Sequence, residues 1–114
     1  MTIMYGIPNC DTIKKARQWM QNNNQPFEFH NFKKDGISRE KVQQWLAQQP
    51  WQELINRKGT TWRKLDQNLR DNMTEQSAID TILDNPSIIK RPVLETGNKV
   101  YLGFTPDMYS QLFS

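Results

Sequence analysis

The chain has 114 residues, 36% of them hydrophobic and 24% charged, with a formal net charge of +3 and a single cysteine. That length suits one domain with one modest core, and the composition excludes a disordered chain. No apolar run is long enough to span a bilayer, and one cysteine excludes an internal disulfide.

In chain order, Ile3–Tyr5 reads as a short strand ended by the turn residues Gly6 and Pro8. Asp11 or Thr12 is expected to cap a helix running to about Asn23, with Ile13, Ala16 and Met20 on one face. Pro26 stops it. Phe27–Phe32 largely alternates apolar and polar residues and reads as a second strand, followed by a turn at Lys34-Asp35-Gly36. Ser38 caps a helix with Val42, Trp45 and Leu46 on one face, ending near Pro50. Short helices at Trp51–Ile55 and Trp62–Leu65 flank Arg57-Lys58-Gly59. Thr74 opens a further helix carrying Ile79, Ile82 and Leu83, stopped by Asn85-Pro86. Pro92–Thr96 and Lys99–Leu102 form a hairpin about Gly97-Asn98. Thr105-Pro106-Asp107 starts the last helix, with Met108, Leu112 and Phe113 toward the core.

A β-α-β unit and a β-β-α unit thus flank a helical middle. The crossover implies parallel strands and the hairpin adds an antiparallel pair. The expected fold is α/β, a thioredoxin-like mixed four-stranded sheet with helices on its faces. Residues 1–114 form one domain, and about 37–89 form a helical insertion.

Cys10 stands on the strand-to-helix turn, at the start of the first helix. Helix N-termini present unpaired N–H groups and a positive dipole end, which favour thiolate over thiol. Lys14 and Lys15 add positive charge one turn later. The thiolate is the nucleophilic form, so this setting prepares one sulfur for attack. Elsewhere a lone cysteine is often only a small buried hydrophobe; here the turn-and-helix context favours a reactive thiol.

Three segments in order, Tyr5-Gly6-Ile7-Pro8-Asn9-Cys10, Leu54-Ile55-Asn56-Arg57-Lys58-Gly59 and Ile88-Ile89-Lys90-Arg91-Pro92-Val93, resemble the arsenate-reductase-like family. That family also contains the Spx transcriptional regulators, and the likeness is greatest to its YffB-type subgroup. The resemblance covers essentially the whole chain. It implies a nucleophile at Cys10 and an anion-binding role for Arg57 and Arg91. Arginine suits that role because its planar donor fork matches carboxylates and oxyanions. The resemblance also implies a cis peptide bond before Pro92. Asn9, Asp11 and Thr12 are expected to shape the loop whose N–H groups stabilise the thiolate. Two features of the family's arsenate reductases are missing. They carry a histidine where this chain has Gly6, and a further arginine near the last strand–helix turn, whereas no lysine or arginine follows Lys99 here. Many Spx-type regulators have Cys-x-x-Cys; the second position here is Ile13.

With no second thiol, a mixed disulfide at Cys10 must be resolved from outside. Glutathione is the natural co-substrate, with a disulfide or an oxyanion as substrate and glutaredoxin as a candidate partner. The expected activity is a glutathione-dependent thiol oxidoreductase. The alternatives are an arsenate reductase, or a non-enzymatic Spx-like module that binds RNA polymerase. No tightly bound cofactor is expected. One histidine, His30, and one cysteine are too few for a zinc site, and the glycines form no phosphate loop. The basic residues are spread in small clusters, as on solvated faces, so neither nucleic acid nor membrane is an expected partner. The N-terminus has no basic stretch followed by an apolar one, so the expected location is the reducing cytoplasm.

Overall fold

The computed structural model describes all of residues 1–114. Its elements are β1 (Ile3–Gly6), α1 (Asp11–Asn22), β2 (Glu28–Asn31), α2 (Phe32–Asp35), α3 (Arg39–Leu46), α4 (Trp51–Leu54), α5 (Thr60–Arg63), α6 (Gln67–Asp71), α7 (Glu75–Asp84), a 3-10 turn (Pro86–Ile88), β3 (Val93–Thr96), β4 (Lys99–Leu102) and α8 (Pro106–Leu112). They fall into two compact units, Met1–Asp35 with Arg91–Ser114, and Gly36–Lys90. No helix is long and apolar enough to cross a membrane.

The first unit holds a four-stranded sheet in the order β2-β1-β3-β4. β1 and β2 are parallel, while β1–β3 and β3–β4 are antiparallel. This is the expected mixed thioredoxin-like sheet. Its register sets Met4 opposite Phe29 and Leu94, and Leu94 opposite Tyr101. Alternation along a strand puts these four on one face. Ala16 and Met20 of α1 and Tyr109 of α8 pack with them into one core. Tyr109 lies edge-on to Trp19 at 5.6 Å and to Phe104 at 4.6 Å between ring centroids. Gly97 and Asn98 both take positive φ, 58° and 61°, the conformation a two-residue hairpin turn requires.

Local chemistry shifts several expected boundaries. Cys10, rather than Asp11 or Thr12, is the N-cap residue of α1: it is extended (φ −114°, ψ 128°) and its carbonyl accepts the Lys14 N–H at 3.0 Å. β2 stops at Asn31 because that side chain accepts from the N–H groups of Lys33 and Lys34, both at 3.1 Å. This cap starts the single turn of α2, so Lys34-Asp35 is helical and only Gly36, at φ 76°, makes the turn. In α8 the fully buried residue is Tyr109; Met108, Leu112 and Phe113 are half-buried around it.

The second unit packs Val42 and Trp45 of α3, Leu54, Ala78 and Ile82 of α7 and Ile88-Ile89 as buried apolar residues. Ser38 caps α3 through the Lys41 N–H, and Thr74 and Ser77 form a reciprocal capping box on α7. The segment after α4 bridges the segment after the 3-10 turn, with Ile55 opposite Ile89. Asn56 N–H donates to the Ile88 carbonyl and Lys90 N–H to the Leu54 carbonyl, each at 2.8 Å.

Candidate functional site

β1 ends at Gly6, and after four intervening residues the chain enters α1 at Asp11. Gly6 is buried against the first turn of that helix. A Cβ on Gly6 would collide with Ile13 Cδ1 and lie 3.6 Å from Phe29 Cε1. Only a residue without a side chain lets Ile13, itself fully buried, seat over the end of β1. That seat fixes the helix N-terminus relative to the turn bearing Cys10.

Cys10 is half-buried and free. As N-cap residue its side chain makes no capping hydrogen bond. Partial burial pushes the thiol pKa up. The Ile13 N–H, the Arg91 side chain and the Thr12 N–H oppose it, and the balance leaves the thiol more acidic than an ordinary cysteine. The positive charge that lowers the thiol pKa is that of Arg91, whereas Lys14 and Lys15 are exposed. Arg17, next on the same helix, lies 4.4 Å over the Phe29 ring.

Cys10, Thr12 and Arg91 are thus together. Pro92 follows Arg91 through a cis peptide bond, is buried, and its carbonyl accepts the Gly103 N–H at 2.9 Å. Asn9 and Asp11 are exposed on either side of Cys10, Asp11 as the first residue of α1. Arg57 belongs to the second unit. Its guanidinium carbon lies 5.9 Å from the Trp51 ring centre, and it lines a cavity there with Asn56, Lys58 and Lys90. His30 is half-buried, with its ring 5.0 Å from that of Tyr5. The residue sequence reasoning missed is Ile13. It was read only as a core position, yet its N–H supports the sulfur and its side chain closes the space over Gly6. The spacing of a glycine at the strand end and an isoleucine one turn into the helix was the available signal.

The sequence matches the ArsC family over residues 5–112. The chain belongs to the ArsC family. Among solved structures, a YFFB protein is 44% identical and superposes with a TM-score of 0.95, all of both chains being covered. An arsenate reductase (ArsC) related protein from Brucella melitensis is also 44% identical, with a TM-score of 0.83 over 98% of this chain and 93% of that one. A global transcriptional regulator Spx from Lactiplantibacillus plantarum is 27% identical over 94% of this chain and 82% of its own length. The ArsC family includes arsenate reductases, which are thiol oxidoreductases.

Proposed function

We propose that this ArsC family protein is a glutathione-dependent thiol–disulfide oxidoreductase with Cys10 as its nucleophile. The observation that carries the reading is the environment of that sulfur: two N–H groups at a helix start and the Arg91 guanidinium favour the thiolate. The Cys10 thiolate attacks one sulfur of a glutathione mixed disulfide. A Cys10–glutathione disulfide forms, and the original partner leaves as a thiolate. A second glutathione thiolate then attacks the glutathionyl sulfur, which releases Cys10 as thiolate and oxidised glutathione as product. The outside thiol is needed because the chain has no second cysteine. Arg91 is assigned to the ligand's negative charge beside the sulfur, with the cis Arg91–Pro92 segment and the Asn9, Asp11 and Thr12 loop framing the site. Arg57 is assigned the same charge chemistry.

Arsenate is a poorer oxidant on this reading. Oxyanion capture needs several convergent donors. The space at Gly6 is filled by Ile13, and no cation follows Lys99. The test is mass spectrometry after exposure to oxidised glutathione, followed by turnover on a glutathionylated peptide. One glutathionyl adduct, absent in Cys10→Ser, together with Cys10-dependent turnover, supports the reading. An unmodified protein, or an adduct without turnover, overturns it.

The likeness to Spx favours a second reading, a regulatory module that binds RNA polymerase. Stoichiometric retention of polymerase from cell extract, with no turnover on disulfides or arsenate, would select it.

A further inference from the structure

The second unit contains a cavity of about 490 Å³ lined by the buried Ile55 and by Gln52, Glu53, Asn56, Arg57, Lys58 and Lys90. That volume lies within the range of small-molecule sites. Three of these seven residues are cations and one is an acid. None of the three cations has a carboxylate of the chain as partner; the ion pair Arg39–Asp80 is elsewhere, between α3 and α7.

The backbone that carries these charges is tied down. Lys58 N–H donates to Asn56 Oδ1 at 3.2 Å, and the Lys58 carbonyl accepts from Arg63 Nη2 at 3.0 Å. Asn56 and Lys90 are held by the two 2.8 Å backbone bonds on either side of the Ile55–Ile89 bridge. The Arg57 guanidinium rests near Trp51, which in turn packs 6.4 Å from Trp62, centroid to centroid. Like charges repel when gathered round one hollow, and a ligand of opposite charge relieves that repulsion. Three cations carried on this fixed backbone, with one carboxylate, complement a molecule that carries more than one carboxylate and a single ammonium.

We infer that this cavity binds a small molecule bearing an amino-acid head group and a further carboxylate, with Arg57, Lys58 and Lys90 on the carboxylates and Glu53 on the ammonium. The inference deepens the glutathione reading above and takes from it the choice of probe. Lys58, Lys90 and Glu53 become specificity residues of the second unit.

The experiment is calorimetric titration of full-length Cys10→Ser protein with S-methylglutathione, which keeps both carboxylates and the ammonium but has no thiol. Saturable binding is expected, weakened by added salt. Lys58→Gln and Lys90→Gln should each weaken it about two- to fivefold, the range for exposed ion pairs. Glu53→Gln should weaken S-methylglutathione yet tighten glutarate, a dicarboxylate without the ammonium. These are exposed positions, so the variants are expected to fold. Absence of saturable binding, or binding indifferent to Lys58 and Lys90, overturns the inference even if Cys10 still forms its mixed disulfide. Binding that needs both lysines, in a protein whose Cys10 resists glutathionylation, keeps the inference and removes the oxidoreductase reading. If Glu53→Gln affects both probes alike, the cavity holds carboxylates only, and the amino-acid head group is refuted.

Discussion

Gly6→Ala tests the packing that holds the thiol's helix. The new methyl group meets Ile13 Cδ1 first and Ile13 Cγ1 at 3.0 Å next. Both carbons are in a side chain with no exposed surface, so relief requires a shift of α1 or a strained rotamer. Overpacking of this kind costs about 1–3 kcal/mol, or a fall in Tm of roughly 4 °C per kcal/mol for a chain of this size. Ile13→Val alone deletes Cδ1, at a cost of about 0.5–1.5 kcal/mol. In the double variant the deleted carbon is the one the alanine would strike. The loss should therefore fall well short of the sum, by about 1 kcal/mol, leaving only the easier contact with Cγ1. Urea unfolding of the four proteins gives the cycle. Iodoacetamide alkylation adds a functional readout: Gly6→Ala should slow Cys10 by moving the Ile13 N–H from the sulfur, and Ile13→Val should restore the rate. Additivity within about 0.5 kcal/mol, with unchanged alkylation in Gly6→Ala, would refute the claim that this contact seats the helix.

Wild-type Cys10 should alkylate with a midpoint below the free-cysteine value of about 8.5; a midpoint at or above it would remove the physical basis for catalysis. Because the folded pKa is lowered, the stability that the thiolate contributes is fully present above the unfolded value and is lost as pH falls through the folded value. Urea midpoints of wild type against Cys10→Ser should therefore diverge as pH rises through that window and converge below it. Arg91→Ala should raise the thiol pKa and weaken glutathione binding about tenfold or more, the scale of a charge-assisted contact; the alkylation profile and calorimetry check the two effects separately. Arg57 is exposed, so Arg57→Ala should cost only about threefold in glutathione affinity. Assayed with arsenate, glutathione and glutaredoxin, the protein should show weak or no turnover; robust turnover abolished by Cys10→Ser would make it an arsenate reductase.

The strands and longer helices were legible because their signals are local. Ser38 and Thr74 cap helices where expected, Gly97-Asn98 turns the hairpin, and Thr105-Pro106 starts α8. Asn31 was less legible because its side chain does two jobs at once, ending a strand and capping a single turn. α6 was missed because its five residues bury nothing, which leaves the Asp66 cap as the sole clue. Tyr109 was missed because its hydroxyl marks it as amphipathic, although its ring completes the cluster of Trp19, Phe104 and Phe113.

At the site, the helix start disclosed Cys10, and two sources of positive charge were on offer, the neighbouring lysines and the arginines of the family resemblance. Lys14 and Lys15 are near in sequence, whereas the operative Arg91 arrives from 81 positions away through β3, a contact that no periodicity announces. Ile13 has the same lesson in a second form. It occupies the position where a Cys-x-x-Cys pair would place its second sulfur. Its side chain fills the space over Gly6, and its N–H supports the first sulfur. A smaller thiol side chain there would surrender buried apolar contact and loosen the helix that makes Cys10 acidic. The packing around the one cysteine thus works against a second cysteine three residues on.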